Sequence, residues 1–210
     1  MILGFAGQLE DDRTLPASAR EQAACIRKQG EKLRSLISDL NLTSRLEYSM
    51  QPLRMEKVYF VELARQVVCE FLDGGLEERY EIEFSANQES ESVSILGDEA
   101  LLKRALGNLI QNSIIHNPQG CRIAVSVLRG DVGITVEVAD NGAGVSVEKL
   151  EELTADHRRL ESTDEKLNLR HGLGVLLVRQ ITEAHKGTMT MESKPQKGFK
   201  TVLMFPVSNF

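Results

Sequence analysis

The sequence predicts an α+β protein in which a helical hairpin precedes a sandwich of one mixed sheet covered by helices. Residues 1–53 carry apolar side chains at the spacing of one helix face, interrupted by a short polar turn. Residues 54–210 group strand-like stretches with helical ones, without the regular alternation that characterises an all-parallel sheet. Pro52 closes the helical segment, so we expect two domains that meet there.

The N-terminal domain is predicted to be helix, turn and helix. Its second helix carries an apolar stripe at heptad-like spacing, formed by Ile26, Leu33, Leu36, Ile37 and Leu40. A hairpin with one apolar stripe per helix leaves that stripe uncovered, so pairing with a second hairpin would complete a four-helix bundle. Packing of the stripe against the following domain is the alternative.

The C-terminal domain is predicted to alternate irregularly between strands and helices. The expected strands are residues 58–60, 80–84, 93–96, 123–127, 134–138, 188–192 and 200–205. The expected helices are residues 61–72, 98–116 and 174–186. Asp98 is the expected N-cap of the second of these helices, because its short side chain can accept a hydrogen bond from the first turn.

Composition excludes several classes of function. The net charge of −6 and the lack of a basic block make nucleic acid a poor partner. No apolar run in the sequence approaches the roughly 18 residues of a membrane span. The three cysteines share no CxxC spacing, so we expect small packing residues in a reducing cytoplasm rather than disulfides or a zinc site.

The run Asp140–Gly144 follows a strand-like stretch and is a candidate adenine site. Its carboxylate can accept a hydrogen bond from the exocyclic amine of adenine. Gly142 and Gly144 lack a Cβ, so the backbone can approach the ring closely. A hairpin turn uses the same residue types, and the run therefore gains its meaning from the motifs on either side.

Two asparagines upstream of this run form a candidate magnesium site. Asn108 and Asn112 lie four residues apart and therefore share one face of the helix that Asp98 begins. An amide oxygen is a suitable ligand for Mg²⁺, which keeps several waters and bridges phosphate oxygens. Two amides beside a buried stripe could instead cap neighbouring loops.

Downstream, Gly172-Leu173-Gly174 leads into a helical stretch and is a candidate phosphate site. A glycine turn that opens a helix would expose backbone N–H groups to an anion. The segment 145–171 before it is long for a connection, which predicts a lid over a nucleotide. Cations in this segment could reach the phosphates or form a solvated surface: Arg158, Arg159 and Lys166.

Taken together, these motifs resemble the nucleotide-binding boxes of sensor histidine kinases. The boxes are Asn-x-x-x-Asn, Asp-Asn-Gly-x-Gly and Gly-Leu-Gly, in this order and spacing. Such kinases belong to the ATPase superfamily shared with gyrase, MutL and ATP-driven chaperones. Residues 39–47 are also similar to the end of the kinase dimerisation hairpin, and residues 97–99 and 183–187 to other kinase sequences.

The resemblance implies a set of ligands and residues for the site. ATP and Mg²⁺ would be bound by Asn108, Asn112, Asp140, Gly142, Gly144, Gly172, Leu173 and Gly174. Within this set, Asp140 would accept from the adenine amine and Asn112 would hold Mg²⁺. The glycines would shape the adenine floor and line the phosphates under a mobile lid.

It also implies an architecture and a reaction. Residues 54–210 would be a catalytic domain of the Bergerat-type ATP-binding fold, and residues 1–53 a truncated dimerisation and histidine-phosphotransfer hairpin. The γ-phosphoryl group of ATP would pass to a histidine and then to an aspartate of a response regulator. We expect a homodimer formed through the hairpin, and a cytoplasmic domain of a membrane-anchored parent protein.

Three departures from the family pattern bear on activity. Ile115 stands where such kinases carry a lysine or arginine, and the usual phenylalanine-rich box of the lid is not recognisable. The phosphoacceptor motif His-acidic-x-x-x-Pro is absent, and none of the four histidines is a suitable acceptor: His116, His157, His171 and His185. We therefore expect Mg-ATP binding without autophosphorylation. A degenerate nucleotide-binding module and an anti-sigma-type serine kinase are the alternatives.

Overall fold

The computed structural model describes residues 1–47, 52–130, 133–154 and 169–207. The chain divides into two compact units, Met1–Arg45 and Leu46–Phe210. The predicted α+β class is confirmed, because helices and a mixed sheet are both present.

The first unit contains the predicted helical hairpin. Helix α1 spans Ile2–Asp11 and helix α2 spans Ala17–Glu47. The turn between them begins at Asp12, whose Oδ1 accepts from the N–H of Thr14 at 2.9 Å. Across the hairpin, the guanidinium of Arg27 pairs with both carboxylate oxygens of Glu10.

The apolar stripe on α2 is exposed to a large extent. Ile26, Leu33, Ile37 and Leu40 each expose between 52% and 59% of their surface. On α1, Ile2 and Phe5 are exposed to 74% and 59%. The hairpin therefore presents apolar side chains from both helices, and on α2 these belong to the stripe that the heptad-like spacing predicts.

The second unit carries the sheet and the remaining helices. Its helices are α3 (Phe60–Asp73), α4 (Glu99–His116), α5 (Val147–Thr154) and α6 (Leu169–Ala184). Its strands are β1 (Glu56–Tyr59), β2 (Tyr80–Ala86), β3 (Ser94–Gly97), β4 (Cys121–Arg129), β5 (Gly133–Asp140), β6 (Thr188–Ser193) and β7 (Phe199–Pro206). Asp98 is the N-cap of α4, as predicted, because its Oδ1 accepts from the N–H of Leu101 at 3.2 Å.

Five of these strands form one mixed sheet in the order β2-β4-β5-β7-β6. Strands β2 and β4 are parallel, and the other neighbouring pairs are antiparallel. Strands β1 and β3 form a separate two-stranded antiparallel sheet, which the sequence did not predict. In that sheet Val58 faces Ile95 and both side chains are buried, so a contact between distant segments decides the pairing.

The core lies on one face of the large sheet. Alternate residues of its central strands are buried, as the period of a strand with one covered face requires. On the covered face Val127 pairs with Val136, and Val136 with Leu203. Phe60, at the start of α3, stacks on Phe205 of β7 with ring centroids 5.2 Å apart. On the opposite face Leu128 is 43% exposed.

Two expectations need correction. Helix α6 begins at Leu169, so the predicted glycine turn at Gly172–Gly174 is wrong and these residues are helical. The segment 145–171 contains helix α5 rather than loop alone. The cations Arg158, Arg159 and Lys166, and the histidine His157, lie outside the described residues.

The cysteines differ from one another in burial. All three are free, and Cys121 is buried while Cys25 and Cys69 are exposed. The expectation of small packing residues therefore holds for Cys121 alone. Burial, followed by the nearby charge of Asp140, raises the pKa of the Cys121 thiol. Among the helices of the described ranges, none has the length and apolar character needed to cross a membrane.

Candidate nucleotide site

A cavity of about 210 Å³ lies beside the C-terminal end of β5, with walls from α4, α5, α6 and β7. Helix α4 contributes Leu109, Asn112, Ser113 and His116 to its lining, and its C-cap Asn117 lines the cavity as well. The remaining lining residues are Val138, Asp140, Ala143, Gly144, Val145, Lys149, Leu153, Val175, Phe199 and Thr201. The cavity therefore gathers Asn112, Asp140 and Gly144, three of the residues that the sequence predicts for the site.

Asp140 is the central acceptor of the cavity. Ser113 Oγ donates to its Oδ2 at 2.9 Å. The N–H of Gly142 donates to its Oδ1 at 2.9 Å, and Asn117 Nδ2 donates to the same oxygen at 3.2 Å. Because a carboxylate offers about four acceptor positions, these three donors orient the group and leave capacity for one further donor from a ligand.

Asn117 is a residue that the sequence reasoning missed. Its Nδ2 also donates to the carbonyl of Ser113 at 2.8 Å, and its Oδ1 accepts from the N–H of Ala143 at 2.9 Å. A Cβ on Gly142 would overlap this amide, so the glycine is needed for the side chain of Asn117 to approach. The signal in the sequence is an amide residue at the end of α4, immediately before Pro118.

Gly144 has a different reason to be glycine. Its φ of +61° lies in the left-handed region, and a Cβ there would overlap the carbonyl oxygen of Lys194. Ser193 joins the two segments, because its Oγ accepts from the N–H of Val145 and donates to the carbonyl of Gly198. The turn between β6 and β7 therefore supports the glycine loop, a contact between distant segments that no local pattern in the sequence predicts.

Asn112 of α4 lies close to α6. A Cβ on Gly174 would lie 3.4 Å from Asn112 Oδ1, so the small residue allows α6 to lie close to that amide. The Nδ2 of Asn108 is buried and has no hydrogen-bond partner within the described structure. An unpaired buried amide costs free energy, which a ligand or water at this position would recover.

The remaining positions singled out by the sequence lie on helices α4 and α6. Leu173 is half-buried, and Gly172 is within α6. Ile115, which replaces the family's usual cation, is 52% exposed. The described ranges hold no cluster of three His, Cys, Asp or Glu residues that could bind a metal. A metal would therefore need amide and ligand oxygens, as the chemistry of Mg²⁺ allows.

His185 has a structural role, in agreement with the sequence interpretation. Its Nε2 accepts from the N–H of Asp98 at 2.8 Å, so its Nδ1 carries the proton and donates to the carbonyl of Ile181 at 2.6 Å. Burial lowers the pKa of this imidazole, which is 4% exposed. A neutral histidine thus joins the beginning of α4 to the end of α6.

Comparison with protein families identifies a domain over most of the second unit. The family described as histidine kinase-, DNA gyrase B-, and HSP90-like ATPase matches residues 97–209. The chain is 28% identical over 206 residues to the sensor histidine kinase YvrG of Bacillus subtilis (strain 168). The alignment covers 97% of this chain and 35% of YvrG.

Solved structures show the same fold. Full-length ShkA in complex with AMPPNP aligns with a TM-score of 0.76 and 24% identity, over 100% of this chain and 43% of that one. Histidine kinase ThkA in complex with response regulator protein TrrA aligns with a TM-score of 0.68 and 20% identity, over 99% of this chain and 57% of that one. The chain thus spans 35% of YvrG, 43% of the ShkA chain and 57% of the ThkA chain.

Proposed function

The chain belongs to the histidine kinase-, DNA gyrase B- and HSP90-like ATPase family, and we propose that it is the ATP-binding kinase core of a sensor histidine kinase. One observation carries the proposal: a carboxylate, Asp140, is oriented by three donors in a cavity that also contains Asn112 and Gly144. The family match and the similarity to YvrG support the same function.

In this proposal the adenine of ATP lies against Asp140. The acceptor position left open by Ser113, Asn117 and Gly142 receives the exocyclic amine of the base. Gly142 and Gly144 shape the floor, because each allows a close backbone or amide approach that a side chain would block. Thr201 and Val138 line the same cavity and contact the base from the sheet.

The phosphates extend from the base toward the helical wall. Gly172, Leu173 and Gly174 lie in the first two turns of α6, and we place the phosphates along this wall because Gly174 lies close to Asn112. Asn112 lies close to Gly174 and would supply an amide oxygen ligand for Mg²⁺. Phosphate oxygens and water would complete the coordination of the ion. Asn108 lies one turn earlier on α4, and its unpaired Nδ2 would donate a hydrogen bond to a water or a phosphate oxygen.

The reaction of the parent protein would be phosphoryl transfer by positioning and charge neutralisation. The γ-phosphoryl group would pass to a histidine and then to an aspartate of a response regulator. His185 is excluded as acceptor, because both of its ring nitrogens bond the backbone in a buried site. That the ThkA structure contains response regulator protein TrrA supports a receiver domain as partner.

The hairpin would serve dimerisation. We assign residues 1–53 to a dimerisation and phosphotransfer hairpin and residues 54–210 to the catalytic domain. The exposed stripe of α2 and the exposed residues of α1 would be covered by a second copy in a four-helix bundle. We place the chain in the cytoplasmic part of a membrane-anchored protein, as its relationship to sensor kinases favours.

Nucleotide titration tests the proposal. Isothermal calorimetry with ATP and Mg²⁺ should show binding by the chain, and Asp140→Asn should weaken it by about tenfold or more, since one charged hydrogen bond is worth about 1.5–3 kcal/mol. Glu192→Gln is a matched control, because this carboxylate pairs with Lys200 on the sheet surface. A chain that does not bind ATP, or an Asp140→Asn variant that binds as tightly as Glu192→Gln, would contradict the proposal.

A further inference from the structure

Helix α5 forms one wall of the cavity although it is poorly anchored by apolar contacts. None of its eight residues is fully buried. Lys149 and Leu153, which are one helical turn apart and share a face, both line the cavity. Because short helices in proteins depend on the tertiary packing of an apolar face, the position of α5 depends strongly on polar contacts.

Arg179 of α6 makes such a contact at the C-terminal end of α5. Its Nη2 donates to the carbonyl of Leu153 at 2.9 Å, and its Nη1 donates to the carbonyl of Thr154 at 3.1 Å. The last carbonyls of a helix lack partners within the helix, and a cation there also complements the helix dipole. The planar fork of a guanidinium can satisfy two such carbonyls together.

Helix α6, which carries Arg179, also supplies the neighbouring wall of the cavity. Val175 precedes Arg179 by one turn of α6, so the two side chains lie on one face. Val175 lines the cavity, as Leu153 does. The contact of Arg179 with the Leu153 carbonyl therefore fixes the distance between two apolar walls of the cavity, one from each helix.

We propose that Arg179 is a positioning residue for nucleotide binding, which acts by holding α5 against α6 so that Leu153 and Val175 enclose the base. This inference rests on the nucleotide function proposed for the cavity. Arg179 does not contact the ligand, and its effect passes through the backbone of Leu153 and Thr154. A lysine at this position keeps the charge but loses the two-pronged geometry.

Binding of AMPPNP with Mg²⁺, measured together with amide hydrogen exchange, tests this role. Arg179→Gln should weaken AMPPNP binding by about three- to tenfold and speed amide exchange over residues 150–154, since the variant loses two charge-assisted hydrogen bonds. Arg179→Lys should bind AMPPNP more tightly than Arg179→Gln and more weakly than the wild type. The unfolding midpoint of both variants should stay close to that of the wild type, because the lost bonds fasten only the end of one short helix.

Arg65→Gln is the matched control. Arg65 lies on α3 and likewise joins its helix to another segment, through Glu91, but neither α3 nor Glu91 lines the cavity. Its loss should leave AMPPNP affinity unchanged. If Arg179→Gln binds AMPPNP as tightly as Arg65→Gln, the positioning role is wrong while the proposed function stands. If the wild-type chain does not bind AMPPNP at all, the proposed function fails and this inference fails with it.

Discussion

The two glycine-containing motifs of the second unit are alike in sequence but differ in backbone environment. Gly144 has a left-handed backbone, and a Cβ there would overlap the carbonyl oxygen of Lys194. Gly174 is helical, and a Cβ there would meet its nearest neighbour, Asn112 Oδ1, at an ordinary contact distance of 3.4 Å. A glycine in a motif thus does not by itself reveal whether the backbone at that position requires it.

The two motifs are also held in place differently. The first motif is fixed where it lies, by Ser113 and Asn117 at Asp140 and by Ser193 beside Val145. The helix that carries the second motif is fixed at its far end, where His185 bonds the N–H of Asp98. Substitutions at the first motif should therefore disturb the fold, while those at the second should act mainly on the ligand.

The largest effect is expected for Gly144→Ala. The variant would force an alanine into the left-handed region and against a carbonyl oxygen, so the free energy of unfolding should fall by about 3 kcal/mol. Urea unfolding measures this change. Gly107→Ala is the control, because Gly107 lies on α4 and a Cβ there would have no neighbour within 4 Å. A Gly144→Ala variant as stable as Gly107→Ala would show that the loop does not require glycine at position 144.

A smaller effect, dependent on pH, is expected at His185. Its pKa is lowered by burial from the ordinary 6.5, so below pH 6.5 the unfolded chain binds a proton that the folded chain does not. The stability that neutral His185 contributes is thus complete above pH 6.5 and declines as the pH falls toward the lowered pKa of the folded state. Urea unfolding across this range should show the decline.

The variant His185→Gln isolates this contribution. It should lose about 1–2 kcal/mol at pH 7.5, because buried hydrogen bonds to Asp98 and Ile181 are disturbed, and its stability should depend less on pH just below 6.5. Other titrating groups affect both proteins equally and cancel in the difference. Parallel pH profiles for the two proteins would contradict a neutral, buried histidine at the fixed end of α6.

The smallest effect on the fold is expected for Gly174→Ala. Alanine favours a helix over glycine by up to about 1 kcal/mol, so the free energy of unfolding should be unchanged or slightly higher. Affinity for AMPPNP should fall, because the added methyl group restricts the amide of Asn112. Urea unfolding and calorimetry measure the two quantities. A loss of stability similar to that of Gly144→Ala would remove the distinction between the motifs.

Expectations that depend on neighbouring residues agree with the structure. The Asp98 cap requires only an acceptor at the correct place before the first turn of α4, and the hairpin of α1 and α2 follows from the spacing of its apolar residues. The alternation along β4 and β5 likewise predicts which residues face the core. Such patterns are written in consecutive residues, so the sequence reveals them.

The errors have a different origin. Glycine favours turns, so the sequence predicts that α6 begins at Gly174, but packing against α4 makes a small residue suitable within the helix. Asn117 was missed because its value depends on reaching Asp140, 23 residues later in the chain. The pairing of β1 with β3 was missed because two short strands cannot indicate their partner.

The sequence alone determined the class of the fold, most of its helices and strands and the residue types of a nucleotide site, because these depend on local propensity, periodicity and motif spacing. The tertiary structure decided which donors surround Asp140, why Gly142 and Gly144 cannot carry a side chain, and how Arg179 connects α5 to α6. These features arise from contacts between distant segments. Their geometry exists only after the sheet and helices have packed together.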